Sequence, residues 1–441
     1  MTDDQAPIFS DEHLALRFAR QYAGNLRYVS EIGRWYCWDG TRWQRDRKLL
    51  GFNSARKICR AAATECNETQ YRVRGLASAK TVAAVEKLAR SDHRIAATID
   101  QWDADSWLLN TPNGVIDLRT QKLRAHRPED HMTKITAAGP DAACPIPIWH
   151  KFLARVTNGD ADLQAYLQRV LCYALTGETY EHALFFIYGP GANGKSVLLD
   201  TALGVMGDYA LSAPIETFTV SSTDRHPTEL ARLHGARLVT ATETEEGRRW
   251  AESRIKQLTG GDRVPARFMR QDFFEYTPQF KLIVAGNHKP GLRSMDEAIK
   301  RRINMILFNV IIPVDQRDKH LTKKLKHEWP GILAWMIKGC AEWKRRGGLD
   351  APKSVTTATE HYFEQEDTLT AWMQDECKID PTLWASRTEL FESWSWWAHK
   401  AKEQCGTRSD FLQRLEDRGF EHATRHGSRG FKGLKVQPIR V

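Results

Sequence analysis

No two of the eight cysteines stand in a C-x-x-C pair. That spacing is the usual mark of a small zinc module, so neither a zinc site nor a disulfide framework is expected; buried or partly buried free thiols are. No apolar run approaches the roughly 18 residues of a membrane span. The opening MTDDQAPIFS is polar and acidic, unlike a signal peptide. No membrane partner is expected, and the expected location is cytoplasmic. Low-complexity tracts and internal repeats are absent, which excludes disordered, collagen-like and solenoid classes. Acids are in deficit: 55 Asp and Glu against 64 Lys and Arg give +9 over 441 residues. A polyanionic partner fits that excess, which by itself is a weak signal. Apolar residues at 41% and charged residues at 27% are ordinary for a globular chain, so the fifteen tryptophans are read mainly as packing.

What is present falls into three zones. Residues 1–149 open with Ser10 before two acids and spaced apolar residues, a capped helix. Alternating aromatics around Asp39-Gly40 in YVSEIGRWYCWDGTRWQRD predict a hairpin. Residues 52 to about 102 read as helical, and 108–126 as short strands with turns at Asn113-Gly114 and near Thr120. Residues 150–347 alternate apolar strands with amphipathic helices, the pattern of an α/β sheet domain. Four buried strands are predicted there, at 184–188, 236–242, 280–285 and 303–308. After Gly347-Gly348 and Pro352, residues 353–441 read as three helices and two short strands around a Gly- and Arg-rich turn, the elements of a winged helix.

The sharpest signal is GPGANGKS at 189–196, which fits G-x-x-x-x-G-K-[ST] between an apolar strand and a helix. Glycines let successive backbone N–H groups turn toward phosphate oxygens. Gly189, Gly191, Ala192, Asn193, Gly194, Lys195, Ser196 and Val197 are therefore the predicted nucleotide-binding residues. Lys195 reaches the terminal phosphates and Ser196 offers a hydroxyl to Mg²⁺, so ATP and Mg²⁺ are the expected ligands. A carboxylate is needed to hold the metal shell and polarise water. The strand ending at Thr242 runs into Glu243 and Glu245, which face the phosphates if that strand neighbours the cradle; the alternative is that Glu245 and Glu246 begin a solvated loop. Asn287 follows the next apolar strand, where an amide can orient water, although turn asparagines are common. Arg301 and Arg302 precede the last strand, and alternation sends them to opposite faces; either is a candidate arginine finger, the alternative being an ordinary ion pair.

Lys195 to Glu243 is 48 residues, Glu243 to Asn287 is 44, and Asn287 to Arg301 is 14. With ARLVTATETEEG at 236–247, the run 255–290 and RRINMILF at 301–308, this core resembles the superfamily-three, AAA+-like helicases, and more closely the phage, plasmid and poxvirus primase–helicase family. GRWYCWDGTRW at 33–43 and NTPNGVIDLRTQKL at 110–123 resemble that family's α+β helicase-associated N-terminal domain, and the tail resembles its winged-helix region. The resemblance implies a P-loop ATPase that translocates on single-stranded DNA as a homo-oligomeric ring, usually a hexamer, with the finger acting on a neighbour; Arg302 is slightly preferred from its place in the motif. It also implies a channel hairpin, here 263–276, whose tip holds Arg267, Phe268, Met269, Arg270 and Gln271. Arginines there meet phosphates and Phe268 packs on sugar or base; the bland reading is a solvated basic hairpin. Arg425, Arg429 and Lys432 in the tail, which carries +4 over 408–441, are candidates for duplex contact, with protein docking weighed equally. No primase domain is expected before Phe9, and Asp103-x-Asp105 is too weak a motif to be a polymerase site, so primer synthesis is expected from a separate protein.

The expected activity is an ATP-dependent DNA helicase of a mobile element. One competitor is a replication initiator in which ATP only switches assembly. Another is a small-molecule kinase, for which neither lid nor acceptor pocket is evident.

Overall fold

The computed structural model describes residues 6–220, 228–242, 247–269, 273–292, 296–401, 403, 405–425 and 427–437. The chain divides into two compact units, one of residues up to Thr356 and one from Thr357 onward, with Asp296 assigned to the second.

The first unit is built around a mixed α/β core with a five-stranded parallel sheet. Its strand order is Ile303–Leu307, Leu184–Tyr188, Lys281–Gly286, Leu238–Thr242 and Ala210–Ser212. Every adjacent pair is parallel, with Leu184 opposite both Leu282 and Ile303, and Leu238 opposite Lys281. The continuous apolar runs read from the sequence are this sheet's buried strands, as a parallel sheet covered by helices requires. The predicted strands match closely; the fifth, Ala210–Ser212, is only three residues long and gave no pattern. Leu238–Thr242 is not the neighbour of the cradle strand, because the asparagine-bearing strand Lys281–Gly286 lies between them.

Helices Ala161–Leu175 and Trp329–Arg346 pack closely beside this sheet. A Cβ at Gly339 would lie 2.7 Å from the Gln168 carbonyl, so glycine permits that approach. Cys172 and Cys340, both fully buried on these two helices, are joined as a disulfide. This corrects the expectation of free thiols for these two. Helix packing aligned residues 168 positions apart, which local spacing does not reveal.

The amino-terminal zone carries the Ser10-capped helix Asp11–Tyr22 and a small sheet containing the aromatic hairpin, where Trp38 faces Trp43 across the Asp39-Gly40 turn. The predicted helical run from 52 to 102 is three helices, Leu50–Glu65, Gln70–Leu76 and Ala79–Ala89, followed by non-helical chain. A second sheet, Leu108–Thr111, Gly114–Asp117 and Lys122–Arg124, matches the 108–126 reading. Buried Asn110 ties this zone to the core: its Nδ2 donates to the Thr41 and Lys134 carbonyls, and its backbone N–H donates to the Tyr209 hydroxyl. Asp103 and Asp105 are turn-holding residues, one accepting from the Thr133 N–H at 2.8 Å and the other bound by Arg119 and the Trp107 N–H.

In the second unit, Thr368–Glu376, Arg387–Lys400 and Arg408–Asp417 are the three expected helices. They accompany a three-stranded sheet ordered Cys377–Ser386, Ser428–Val436, His422–Arg425. Trp372, Trp394 and Phe411 form the centre of its core. The strand Cys377–Ser386 escaped the sequence reading because Pro381 interrupts it and its pairing breaks register between Ile379 and Trp384. No helix among the described residues is long and apolar enough to cross a membrane.

Candidate functional site

Three of the parallel strands run out, at their carboxyl ends, into the predicted site residues. Leu184–Tyr188 leads into Gly189, Lys281–Gly286 into Asn287, and Leu238–Thr242 toward Glu243. Glu243 and Glu245 lie outside the described residues.

Gly189 has φ +151°, and a Cβ there would stand 2.0 Å from the Phe308 carbonyl oxygen. Only glycine fits between the first strand's end and the last strand's end. Ala192 (φ +60°) and Gly194 (φ +88°) turn the loop, and a Cβ at Gly194 would collide with Val156. Buried Asn193 fixes the loop by donating from Nδ2 to the Phe308 carbonyl at 2.8 Å. The helix Lys195–Met206 then begins directly from Gly194.

Lys195 is buried at 8% exposure, yet its Nζ has three close acceptors. They are the Gly189 carbonyl at 2.8 Å, Asn287 Oδ1 at 3.0 Å and Asn193 Oδ1 at 3.1 Å. Burial lowers its pKa from the usual lysine value. The cradle lysine and the strand-end asparagine, 92 residues apart, thus meet in one site. Gly191, Ala192 and Ser196 are exposed, and a Cβ on Gly191 would meet open space. No backbone N–H from Gly191 to Val197 donates to a backbone carbonyl among the described residues. Backbone N–H groups without a backbone acceptor among the described residues, a helix amino terminus and a nearby buried ammonium are the chemistry that attracts a polyanion such as a triphosphate. The Ser196 hydroxyl, in the first turn, stands where a phosphate-bound cation can reach it.

Arg301 and Arg302 lie at the opposite edge of the sheet. Ile303 pairs with Leu184, the first residue of the cradle strand. A five-residue strand, about 15 Å, therefore separates them from the cradle of their own chain. Arg302 is buried: Nε donates to Thr259 Oγ1 at 3.1 Å and Nη1 to the Ala298 carbonyl at 2.6 Å. Arg301 is exposed, and its side chain has no hydrogen bond or ion pair among the described residues.

The predicted hairpin is present. Val264–Ala266 pairs antiparallel with Phe274–Tyr276, Ala266 opposite Phe274. Arg270 lies outside the described residues. Phe268 stacks on Phe274 with ring centroids 5.4 Å apart, and the Arg267 guanidinium covers the Phe273 ring at 4.7 Å. Met269 and Phe273 are 70% and 60% exposed, so the tip offers apolar as well as cationic surface. Phe273 was not singled out from sequence; its place across the turn from Arg267 was the available signal. Asn193, read only as a cradle backbone position, proves to hold Lys195 through its side chain. In the second unit, Arg425, Arg429 and Lys432 are all exposed, with Arg425 opposite Ser428 and Arg429 opposite Thr424.

Residues 15–158 match a family model described as D5 N terminal like, and residues 187–302 match a family of unknown function, DUF5906. A putative helicase of Acanthamoeba polyphaga mimivirus is 26% identical over 347 residues, covering 72% of this chain and 35% of the viral protein. A putative helicase of Invertebrate iridescent virus 3 is 28% identical over 311 residues, 63% of this chain and 33% of the relative. A putative primase of African swine fever virus is 23% identical over 213 residues, 46% of this chain and 22% of the relative. The chain thus spans about a third or less of the length of these relatives. Among solved structures, the apo C-terminal region of NrS-1 aligns with 96% of this chain and 99% of its own at 10% identity and a TM-score of 0.49.

Proposed function

We propose that this chain, which belongs to the phage and viral primase–helicase type of family, is an ATP-dependent DNA helicase that works in replication of a phage, plasmid or other mobile element. The observation that carries the reading is the meeting of Lys195 Nζ with Asn287 Oδ1 at 3.0 Å, beside unpartnered N–H groups. That contact supports reading Lys195 as the phosphate-binding cation and Asn287 as the water-orienting amide of one site. In this reading residues 189–197 hold ATP, with Lys195 on the terminal phosphates. Mg²⁺, when bound, neutralises phosphate charge; Ser196, with Glu243, would hold it. Glu243 and Glu245 follow a strand that is one removed from the cradle strand but parallel to it and ending on the same edge of the sheet, and from there they would polarise the attacking water while Asn287 orients it. The exposed Arg301 is the finger in preference to buried Arg302, and it serves the site of a neighbouring copy because its own cradle lies across the sheet. A homo-oligomeric ring, in keeping with a hexamer, follows from that division of labour.

The domain reading divides the chain into a helicase-associated part at 1–149, an AAA+-like P-loop core at 150–347 and a winged-helix-like part at 353–441. The 263–276 hairpin meets single-stranded DNA through Arg267, Phe268 and Arg270. The exposed Arg425, Arg429 and Lys432 favour a second reading, an ATP-switched initiator that binds duplex DNA and unwinds little. Steady-state ATPase measured with and without single-stranded DNA separates the two. The helicase reading predicts stimulation by single strands; a low rate indifferent to single strands, with tight duplex binding, favours the initiator.

A further inference from the structure

The three helices between residues 50 and 90 carry an unbalanced charge. Eight Lys and Arg stand there against three Glu. Each Glu is already engaged: Glu65 by Arg17 at 2.5 and 2.7 Å, Glu68 by Arg72 at 2.5 Å, and buried Glu86 by Arg90 at 2.7 Å. Arg56, Lys57, Arg60, Arg74, Lys80 and Lys87 are left exposed, with no hydrogen bond or ion pair from their side chains among the described residues.

Their placement is ordered. Arg56, Lys57 and Arg60 are separated by three and four positions on the helix Leu50–Glu65, so they share one face. Like charges at that spacing repel, and the face contains no acid to relieve them. The opposite face, with Ile58, Cys59 and Ala62, is buried. The next helix, Gln70–Leu76, presents Tyr71 at 89% exposure, three positions before Arg74. The Thr81 hydroxyl donates to the Gly75 carbonyl at 2.9 Å and so folds the start of the third helix onto the end of the second. Lys80, the residue before Thr81, is thereby brought near the end of the helix that carries Arg74.

Cations without acids fit a polyanion, and a bare aromatic ring among them fits an unstacked base. We propose that the exposed surfaces of these three helices bind single-stranded DNA outside the hairpin and the carboxy-terminal unit. Arg56, Lys57 and Arg60 track consecutive phosphates, while Tyr71 stacks on a base and Arg74 and Lys80 hold the flanking backbone. The inference rests on the reading of the chain as a DNA-translocating enzyme and adds to it a strand-binding surface built from residues other than those of the nucleotide site.

The test is fluorescence anisotropy of a labelled oligothymidylate with the full chain across a salt series. The triple variant Arg56→Ala, Lys57→Ala, Arg60→Ala should bind at least ~10-fold more weakly at low salt. Its log–log salt slope should flatten by about 2, since each phosphate contact on a single strand contributes about 0.7. Tyr71→Ala should weaken binding ~5- to 100-fold with the slope unchanged, and Tyr71→Trp should restore it. Thermal midpoints equal to wild type establish that the variants are folded. Wild-type affinity and slope in both the triple variant and Tyr71→Ala would overturn the proposal while leaving the helicase reading intact. So would variants that lose retention on polyglutamate but keep DNA affinity, a result that assigns the face to an acidic protein. A wild-type chain that does not bind the oligonucleotide removes the helicase reading and this inference together.

Discussion

At the amino edge of the parallel sheet, Arg237, Lys281 and Arg302 are buried cations whose donors end on oxygen atoms of the fold. At the carboxyl edge Lys195 is also buried, but it lies beside backbone N–H groups without a backbone acceptor among the described residues. Arg237 grips the carbonyls of Leu175 at 2.8 Å and Leu108 at 2.9 Å. Lys281 donates to the carbonyls of Thr176, Glu178 and Gln279. Burial pushes the pKa of Lys281 and of Lys195 below the usual lysine value, most strongly at Lys281. A depressed lysine pKa is therefore common to an anchor and to a candidate binding residue. What separates them is the company. Acceptors alone make a closed structural site; acceptors beside free donors leave net attraction for an anion.

The sharpest way to break this comparison is to remove Lys195 and Arg301, the two cations proposed to act on phosphate. Lys195→Ala should lower ATP turnover by ~10³-fold or more, because phosphate charge loses its main partner. Its thermal midpoint should stay near wild type; a folded variant with normal turnover would erase the distinction between the edges. Arg301→Ala should lower turnover by a similar ~10³-fold. In mixtures, Lys195→Ala subunits, which keep Arg301, should rescue Arg301→Ala subunits. Arg302→Ala should instead destabilise the fold, since it strips the partner of Thr259 and of the Ala298 carbonyl. Equal turnover in wild type and Arg301→Ala would move the finger elsewhere.

Lys281→Ala comes next, with a loss of about 3 kcal/mol in denaturant unfolding, because it leaves buried carbonyls without a donor. Its nucleotide affinity under native conditions should be unchanged, and a selective loss of affinity would make Lys281 part of the site. The smallest effect is expected for Asn287→Ala. Turnover should fall ~10²-fold while ATP affinity, read by a fluorescent analogue, changes little. A drop in affinity alone would turn Asn287 into a holder of Lys195 and not a water-orienting group.

Legibility from sequence followed the same divide. The strand, glycine-rich turn and helix at 184–206 were readable because the positive φ values of Gly189 and Gly194 call for glycine at positions that the spacing along the chain displays directly. Asn287 was readable because it follows an apolar strand, and parallel strands deliver their carboxyl ends to one edge. Which of Arg301 and Arg302 is buried was not, because alternation assigns them opposite faces without saying which face Thr259 and Ala298 enclose. Arg237 and Lys281 were silent for the same reason: their carbonyl partners come from Asp105, Leu108, Thr176 and Glu178, far away in sequence. The disulfide between Cys172 and Cys340 depends on packing of two long helices, and the three helices at 50–89 merged into one because the breaks at Cys66 and Ser78 lack proline.

The most direct test of the central claim is strand displacement on a forked DNA, followed by separation of a labelled strand with ATP present. The account predicts that wild type releases the strand and that Lys195→Ala, folded and DNA-bound, does not. Release by Lys195→Ala at the wild-type rate would contradict it.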